Sequence, residues 1–257
     1  MPRLDADRVR AAAARWVFVP VDAVDVTTED YRLVHYADVS MVHGSVTGRP
    51  LPDVLAEIVG LVRAAGRPTL QWWVDDRTRP MDTEDQLAGL GLRMTERLEV
   101  LALPVASRLP TQPGVDVVEV RDPAGLELAG RLQSEVFGIP PPSPAVLADQ
   151  LRSVTVVPEA EQLVRCYVAY VDGVPVGSAG GTVDGDALRF WEGSVLPAYR
   201  GRGVYRALVA RRLRDARATT ADFALVKAVD DTSAPILKRL GFTAYGEQRC
   251  WSIPVEG

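Results

Sequence analysis

The sequence predicts an α/β protein with a mixed sheet (an α+β arrangement), built as two tandem copies of one fold. Three observations support this. Strand and helix patterns alternate along the chain, a proline-rich segment separates two strand-like runs, and short motifs recur in one order on both sides of it. That segment, at 103–114, contains three prolines and one glycine, a composition typical of a linker. We therefore expect two domains, at 1–105 and 113–257, of which the first is truncated and degenerate.

The second domain is predicted to begin with one strand and two helices. Residues 115–121 alternate between apolar and polar side chains, as in a strand. Pro123–Phe137 has helical spacing, and a short helix at 143–151 opens with Ser143 and Pro144.

A hairpin and a further series of strands and helices complete this domain. Asp172-Gly173 is typical of a tight turn between two strands. The remaining elements are Val164–Val171, 174–183, Ala187–Val195, a helix at 205–217, Phe223–Val229, a helix at 231–240 ending at Gly241, and a strand at 242–255. The predicted order is β-α-α-β-β-β-α-β-α-β.

The two halves share a degenerate internal repeat. Its anchors in the first half are Gly44-Ser45-Val46, Val74-Asp75-Asp76, Leu90-Gly91-Leu92 and Pro104-Val105, and in the second Gly193-Ser194-Val195, Val229-Asp230-Asp231, Leu240-Gly241-Phe242 and Pro254-Val255. The glycine of the Leu-Gly pair precedes the final proline by 13 residues in both copies. After Val46, however, the first copy has Pro50 and Pro52, which remove backbone donors that a phosphate needs.

Composition excludes several classes of function. The net charge is -5, with 29 basic and 34 acidic residues, which disfavours nucleic acid as a partner. Cys166 and Cys250 form no CxxC pair, and the chain has two histidines, so we expect free thiols and no metal. No segment has the pattern of a signal peptide or a membrane span. We therefore expect a cytoplasmic protein without a membrane partner.

The segment that follows the predicted strand Ala187–Val195 has the pattern of a phosphate-binding loop. It reads Val195-Leu196-Pro197-Ala198-Tyr199-Arg200-Gly201-Arg202-Gly203-Val204-Tyr205, between a strand and a helix. The glycines allow successive N–H groups to converge on an anion at the helix N-terminus. The two arginines add charge-assisted hydrogen bonds. The alternative is an ordinary strand-to-helix turn with solvated arginines.

This loop resembles the acetyl-CoA signature of the GNAT superfamily, Q/R-x-x-G-x-G/A. Arg200, Gly201, Arg202, Gly203 and Val204 match it, whereas Tyr205 stands where glycine or alanine is usual. The resemblance covers about 140 residues, including a late helix that ends in Gly241-Phe242. The first half is similar to the degenerate copy of tandem GNAT proteins.

The resemblance implies further roles in binding acetyl-CoA. The strand that ends at Val195 would splay away from Phe223–Val229, and the backbone of Ser194 and Val195 would bind the pantetheine arm. The Val195 N–H would also polarise the thioester carbonyl. Asp230 and Ser233 fall where the family has residues that approach the cofactor.

Transfer to an amine requires a base or a water relay, because a primary amine has a reference pKa of about 10.4. Glu192 is the first candidate, since it lies between Trp191 and Gly193 on the strand leading to Val195. The alternative is a solvated or salt-bridged residue.

The tyrosine that acts as general acid in the family has no counterpart, because Leu237 occupies its position. Tyr205, Tyr245 and Cys250 are candidate substitutes, with core packing as the alternative for each. CoA can also leave as a thiolate, since a thiol has a pKa of about 8.5.

Several other residues are expected to be structural. Trp72 and Trp73 are predicted to pack in a core, and His35 and His43 have no partner that suggests catalysis. The arginines at 206, 211, 212, 214 and 217 are predicted to form the solvated face of a helix.

The sequence therefore predicts an acyl-CoA-dependent N-acetyltransferase that transfers an acetyl group directly to a primary amine of a small molecule. Transfer to a peptide or protein amine, a non-catalytic acyl-CoA sensor and an unrelated phosphate-ligand domain are the alternatives. The acceptor, the acyl preference and the oligomeric state, including a homodimer, stay open.

Overall fold

The computed structural model describes residues 4–110, 112–155 and 162–256. Its helices and strands, in chain order, are α1 Ala6–Arg15, β1 Val24–Thr27, β2 Tyr31–His35, β3 Ser40–Ser45, α2 Leu51–Ala64, β4 Thr69–Val74, α3 Thr83–Gly89, β5 Arg93–Pro104, β6 Asp116–Val120, α4 Pro123–Phe137, α5 Pro144–Val154, β7 Val164–Val171, β8 Val174–Asp184, β9 Ala187–Val195, α6 Val204–Ala216, β10 Phe223–Val229, α7 Ser233–Arg239 and β11 Thr243–Pro254.

The chain folds into two compact units, neither of which is one continuous stretch of sequence. The N-terminal unit contains Arg10–Val100, Lys227–Ile236 and the residues from Ala244 onward. The C-terminal unit contains the residues up to Val9, Leu101–Val226 and Leu237–Thr243. The N-terminal unit includes the end of the chain because β11 pairs antiparallel with β4.

The N-terminal unit has the strand order β1-β2-β3-β4-β11-β5, with β3 and β4 parallel. Helix α2 packs on one face of this sheet, where its buried residues meet Val42 and Trp72. Trp72 is fully buried, as predicted, and its indole N–H donates to Ser45 Oγ at 3.1 Å. Side chains alternate along a strand, so His43 and Trp73 lie on the face opposite α2.

The C-terminal unit has the strand order β5-β10-β9-β8-β7-β6. Strands β9 and β10 are parallel, and the pairs from β9 to β6 are antiparallel. Helix α4 packs with Cys166 and Val168, whereas α6 packs with Tyr167 and Ala169. Since successive residues of β7 point to opposite faces, α4 and α6 cover opposite faces of the sheet.

The two predicted copies have the same order of elements. The first copy runs β3-α2-β4-α3-β5 and the second runs β9-α6-β10-α7-β11. Both copies end in a strand of 12 residues. In the first copy α2 follows directly on Pro50, with Pro52 in its first turn, in place of a glycine-rich loop. The predicted mixed sheet with two tandem copies is confirmed.

Two element boundaries differ from the prediction. The helix predicted at 231–240 starts later, because the Thr232 N–H donates to Val229 O in a turn before it, and Gly241 at φ 98° follows its end. Helix α5 continues through Val154, three residues beyond the predicted end at 151. Residues 156–161, which follow it, lie outside the described residues. Within the described ranges, no helix is both long and apolar enough to cross a membrane.

Candidate active site

A β-bulge interrupts β9 opposite β8. Ser178 lies opposite Ser194 and Gly180 lies opposite Trp191, so Glu192 and Gly193 together face one residue of β8. Two residues against one define a bulge. Glu192 has φ 50°, an unfavourable conformation for a non-glycine residue that is concentrated at functional sites. The bulge therefore marks this end of β9 as a candidate site.

The same end of β9 has no pairing with β10. Their parallel pairing runs from Ala187 to Arg189 on β9 and extends no further among the described residues, as the predicted divergence of the two strands requires. On the other side, the Leu196 N–H donates to Val176 O at 2.8 Å. Val195 and Gly177 are therefore a non-hydrogen-bonded pair, and the Val195 N–H points away from β8.

Two buried hydroxyl groups fix this part of β9. Ser178 Oγ donates to Ala129 O of α4 at 3.3 Å, and Ser194 Oγ lies 3.0 Å from Ser178 Oγ. Because Ser178 has one proton and uses it on Ala129, Ser194 is the donor between the two hydroxyls. The residue before Val195 is thereby held to β8 and α4.

The loop after β9 has the backbone features that hold an anion. Gly201 has φ 76° and Gly203 has φ 80°, a region that glycine adopts without steric cost. Helix α6 starts at Val204, and no side chain caps its N-terminus. Its first N–H groups have no acceptor within the helix and carry partial positive charge.

Two exposed arginines flank this N-terminus. Arg200 Nε donates to Val195 O at 3.3 Å. The guanidinium carbon of Arg202 lies 5.1 Å from the centroid of the Tyr199 ring. Both side chains are exposed, so their charge is accessible to a ligand in solution.

Gln112 is a site residue that sequence reasoning missed. A β-carbon on Gly203 would collide with the Gln112 side chain, and Gln112 Oε1 accepts a hydrogen bond from Arg206 Nη2. Gln112 lies in the predicted linker, 94 residues from Arg206. No local pattern in the sequence indicates a contact over that separation.

Tyr205 lies against the bulge. A β-carbon on Gly193 would be 2.8 Å from Tyr205 Cε2, so the ring covers the backbone of Gly193. Burial raises the pKa of Tyr205, and the positive charge of Arg212 opposes this shift. The residue that departs from the family pattern therefore packs beside Glu192.

Arg212 corrects the prediction of a solvated arginine face on α6. It is 2% exposed, and its Nη1 donates to Gly180 O at 3.0 Å. Its guanidinium carbon lies 3.7 Å from the centroid of the Phe190 ring, and burial lowers its pKa to about 10. Arg212 is buried because it lies on the side of α6 that packs on β8 and β9.

Glu192, the predicted general base, has a partly buried carboxyl group. Burial raises the pKa of its carboxyl group, which brings a carboxylate closer to the range useful for removing protons. Among the described residues its carboxylate has no hydrogen-bond or ion-pair partner, in contrast to the salt-bridged alternative. The neighbouring Trp191 donates its indole N–H to Thr182 Oγ1 at 3.0 Å.

Asp230 and Ser233 belong to the N-terminal unit, whereas the loop belongs to the C-terminal unit. The Asp230 N–H donates to Arg97 O at 3.2 Å, and Ser233 is the first residue of α7. Their role towards acetyl-CoA stays a prediction.

The candidate general acids are also distributed over both units. Tyr245 and Cys250 lie in the N-terminal unit, and burial raises the pKa of the Cys250 thiol. Leu237 is fully buried. Of the three candidates, Tyr205 shares the unit of Glu192.

A family model and several solved structures resemble this chain. Residues 107–228 match the family model "Acetyltransferase (GNAT) domain". A GCN5-related N-acetyltransferase from Kribbella flavida has a similar structure, with a TM-score of 0.70 and 17% identity over 98% of this chain and 95% of that chain. A GCN5-related N-acetyltransferase from Sphaerobacter thermophilus gives 0.66 and 18% over 89% and 82%.

A tandem GNAT protein from the clavulanic acid biosynthesis pathway gives a TM-score of 0.62 and 16% identity over 100% of this chain and 89% of that chain. At these identities the likeness shows the fold. Among curated protein sequences, none matches significantly. The segment matched by the family model contains the bulge, the loop and the start of α6, so residues 107–228 are similar in sequence to an acetyltransferase (GNAT) domain.

Proposed function

We propose that the C-terminal unit is an acetyl-CoA-dependent N-acetyltransferase that acts on a primary amine of a small molecule. One observation carries this proposal. One short segment of the C-terminal unit contains two groups of hydrogen-bond donors. The first is the Val195 N–H, which faces the unpaired side of β9. The second is the uncapped N-terminus of α6, which follows Gly201 and Gly203. The first suits a thioester carbonyl and the second a pyrophosphate.

The residues of this segment fit an acyl-CoA. The pyrophosphate would accept hydrogen bonds from the first N–H groups of α6 and from Arg200 and Arg202. The backbone of Val195 would bind the pantetheine arm along the edge of β9 that lacks a strand partner. Ser194, which was predicted to share this role, lies in a hydrogen-bonded pair with Ser178, so its backbone groups point towards β8. Acetyl-CoA supplies an activated acyl group as a thioester.

The reaction needs two actions from the protein. Glu192, with its pKa raised by burial, accepts a proton from the ammonium group of the acceptor. The neutral amine nitrogen then attacks the thioester carbon while the Val195 N–H donates to the carbonyl oxygen. The carbon–sulfur bond breaks, the acetyl group remains on nitrogen, and CoA leaves as a thiolate. The second proton of the nitrogen passes to this thiolate, directly or through water, and Glu192 returns the first proton to solvent. This route needs no tyrosine at position 237.

The experiment is to measure release of the CoA thiol from acetyl-CoA with panels of small primary amines and of peptide amines. We expect amine-dependent release with at least one small amine, and a large loss of rate in Glu192→Gln with acetyl-CoA binding retained. Turnover with peptide amines alone would contradict the small-molecule assignment. Unchanged turnover in Glu192→Gln would contradict the role of Glu192.

A non-catalytic acyl-CoA sensor is the second candidate, and the side chain of Gln112 at Gly203 favours it. A ligand that binds the loop would replace the contact between Gln112 and Gly203, and such an exchange of contacts is suited to a protein that responds to ligand binding. This candidate predicts acetyl-CoA binding in calorimetry without thiol release in either amine panel.

A further inference from the structure

The N-terminal unit contains a cavity of about 630 Å³, and all of its lining residues belong to that unit. The volume is in the range that holds a small organic ligand. The lining that matters for recognition consists of Trp16, Phe18, Tyr36, His43, Trp73 and Lys227. The sequence prediction assigned both His43 and Trp73 to structural roles, and neither belongs to the proposed acetyl-CoA site.

The cavity lies on the sheet face that α2 does not cover. Along β3 and β4, Val42 and Trp72 face the α2 core, so His43 and Trp73 project to the other side. In the C-terminal unit, α4 covers one face of the sheet and α6 the other. Within the described residues of the N-terminal unit, the face with His43 carries the Trp16–Phe18 segment, residues 16–18, beside the cavity.

The hydrogen bonds of Tyr36 fix the tautomer of His43. Tyr36 Oη donates its proton to Phe18 O at 2.7 Å. Tyr36 Oη also lies 3.0 Å from His43 Nε2, and it has no second proton to give, so Nε2 is the donor in that contact. The proton of the neutral imidazole is therefore on Nε2, and Nδ1 presents a lone pair. No described residue donates a hydrogen bond to Nδ1.

The imidazole is held in its neutral form. Burial lowers the pKa of His43 to about 4, and the positive charges of Lys227 and Arg32 act in the same direction. The lining has three carboxylates: Asp30 pairs with Arg49 at 3.1 Å, Asp75 accepts from the Gln248 amide at 3.3 Å, and Glu29 is exposed. His43 Nδ1 is thus a hydrogen-bond acceptor at neutral pH, and the positive charges of Lys227 and Arg32 disfavour a cation beside it.

The other walls are aromatic. Trp73 is half-buried in the cavity, and its indole N–H has no acceptor among the described residues. Phe18 is 60% exposed, an exposure that ring contact with a ligand would reduce. Lys227 Nζ donates to Trp16 O at 2.8 Å and lies 5.7 Å from the Trp16 ring centroid, which holds that ring at the cavity.

The internal repeat places His43 at the position that corresponds to Glu192. His43 precedes Gly44-Ser45-Val46 as Glu192 precedes Gly193-Ser194-Val195. The first copy thus keeps a proton acceptor at the position of Glu192. It lacks the phosphate loop, because Pro50 and Pro52 stand at the start of α2. A ligand recognised at His43 therefore does not need a phosphate group.

We propose that this cavity binds a neutral or anionic aromatic compound of one or two rings that carries a hydroxyl group or a ring N–H. The ring packs between Trp73 and the Trp16–Phe18 segment, and the hydroxyl or N–H donates to His43 Nδ1. This binding needs neither acetyl-CoA nor Glu192, so it stands or fails independently of the acetyltransferase proposal.

A matched pair of ligands tests the proposal by calorimetry on the full chain. 2-Naphthol has the hydroxyl donor, and 2-methoxynaphthalene has the same rings without it. We expect 2-naphthol to bind at least about fivefold more tightly, because the methoxy compound leaves Nδ1 buried without a donor. Equal affinities, or no binding of either compound at millimolar concentration, would overturn the proposal.

Variants locate the effect at His43. His43→Phe keeps an aromatic ring and removes the acceptor, so the preference for 2-naphthol should disappear. Met94→Leu, at an exposed position of β5 outside the cavity lining, should keep it. If His43→Phe does not fold, Tyr36→Phe gives a second test, since loss of the acceptor for Nε2–H allows the proton to move to Nδ1 and reduces the preference. A preference that persists in a folded His43→Phe or Tyr36→Phe protein would overturn the assignment of Nδ1.

Discussion

The ring of Tyr205 lies directly against Gly193, at a distance that leaves no room for a β-carbon on residue 193. Tyr205 is the departure from the family's loop pattern, and Gly193 belongs to the bulge that contains Glu192. The ring of Tyr205, the unusual residue of the loop, therefore packs on the bulge of β9.

Gly193→Ala should destabilise the protein through this contact. A methyl group would lie 2.8 Å from Tyr205 Cε2, and overpacking of this kind costs about 1–3 kcal/mol in the free energy of unfolding. Urea denaturation measures the change. Gly246→Ala is the matched control, since a β-carbon there has no neighbour within 4 Å. In a Tyr205→Leu background the added cost of Gly193→Ala should shrink, and an undiminished cost would show that the clash lies elsewhere.

Glu192→Gln should remove one limb of the pH–rate profile. If Glu192 is the base, kcat/KM falls as pH drops through its raised pKa and the limb is absent from the variant. We expect a loss of about 10²- to 10⁴-fold in rate, the contribution typical of a general base. Glu127→Gln, an exposed site on α4, is the control. An unchanged profile in Glu192→Gln would exclude this base.

The same substitution should change the pH dependence of stability. Burial raises the pKa of Glu192 in the folded state, so its ionisation opposes folding once pH exceeds the unfolded value of about 4.3. Below that value the carboxyl is protonated in both states and has no effect. The Tm of Glu192→Gln minus that of the wild type should therefore rise with pH. A difference that falls with pH would indicate a stabilising partner for the carboxylate.

Gln112→Ala should strengthen acetyl-CoA binding. The Gln112 side chain contacts Gly203 and accepts from Arg206, so a pyrophosphate on the loop must displace it. Removing one such hydrogen bond corresponds to about fivefold tighter binding, roughly 1 kcal/mol. Calorimetry with acetyl-CoA measures it, with Gln150→Ala on α5 as control. Weaker binding would mean that Gln112 contacts the ligand instead of competing with it.

The elements of the second half could be predicted because turn and capping residues that lie next to each other in sequence define where they begin and end. Asp172 at φ 51° and Gly173 at φ 77° form the hairpin turn where the sequence has Asp-Gly. Ser143 Oγ accepts from the Val146 N–H at 3.3 Å, as its position before Pro144 indicated.

Contacts between distant residues could not be predicted in this way. Gln112 reaches Gly203, and Arg212 is buried under Phe190, only because the sheet assembles residues far apart in sequence. His43 gives a third case. It lines a cavity whose walls come from α1 to β11, and its neighbours in sequence indicate nothing of that environment.

Calorimetric titration of acetyl-CoA and CoA into the wild type and Gly203→Asp tests the central claim most directly. We predict binding of about micromolar affinity to the wild type and at least tenfold weaker binding to the variant, since the new carboxylate would face the pyrophosphate. Gly173→Asp, at a similar φ of 77° in the hairpin turn, should bind like the wild type. Absence of binding of both ligands to folded wild-type protein would contradict the acetyltransferase assignment.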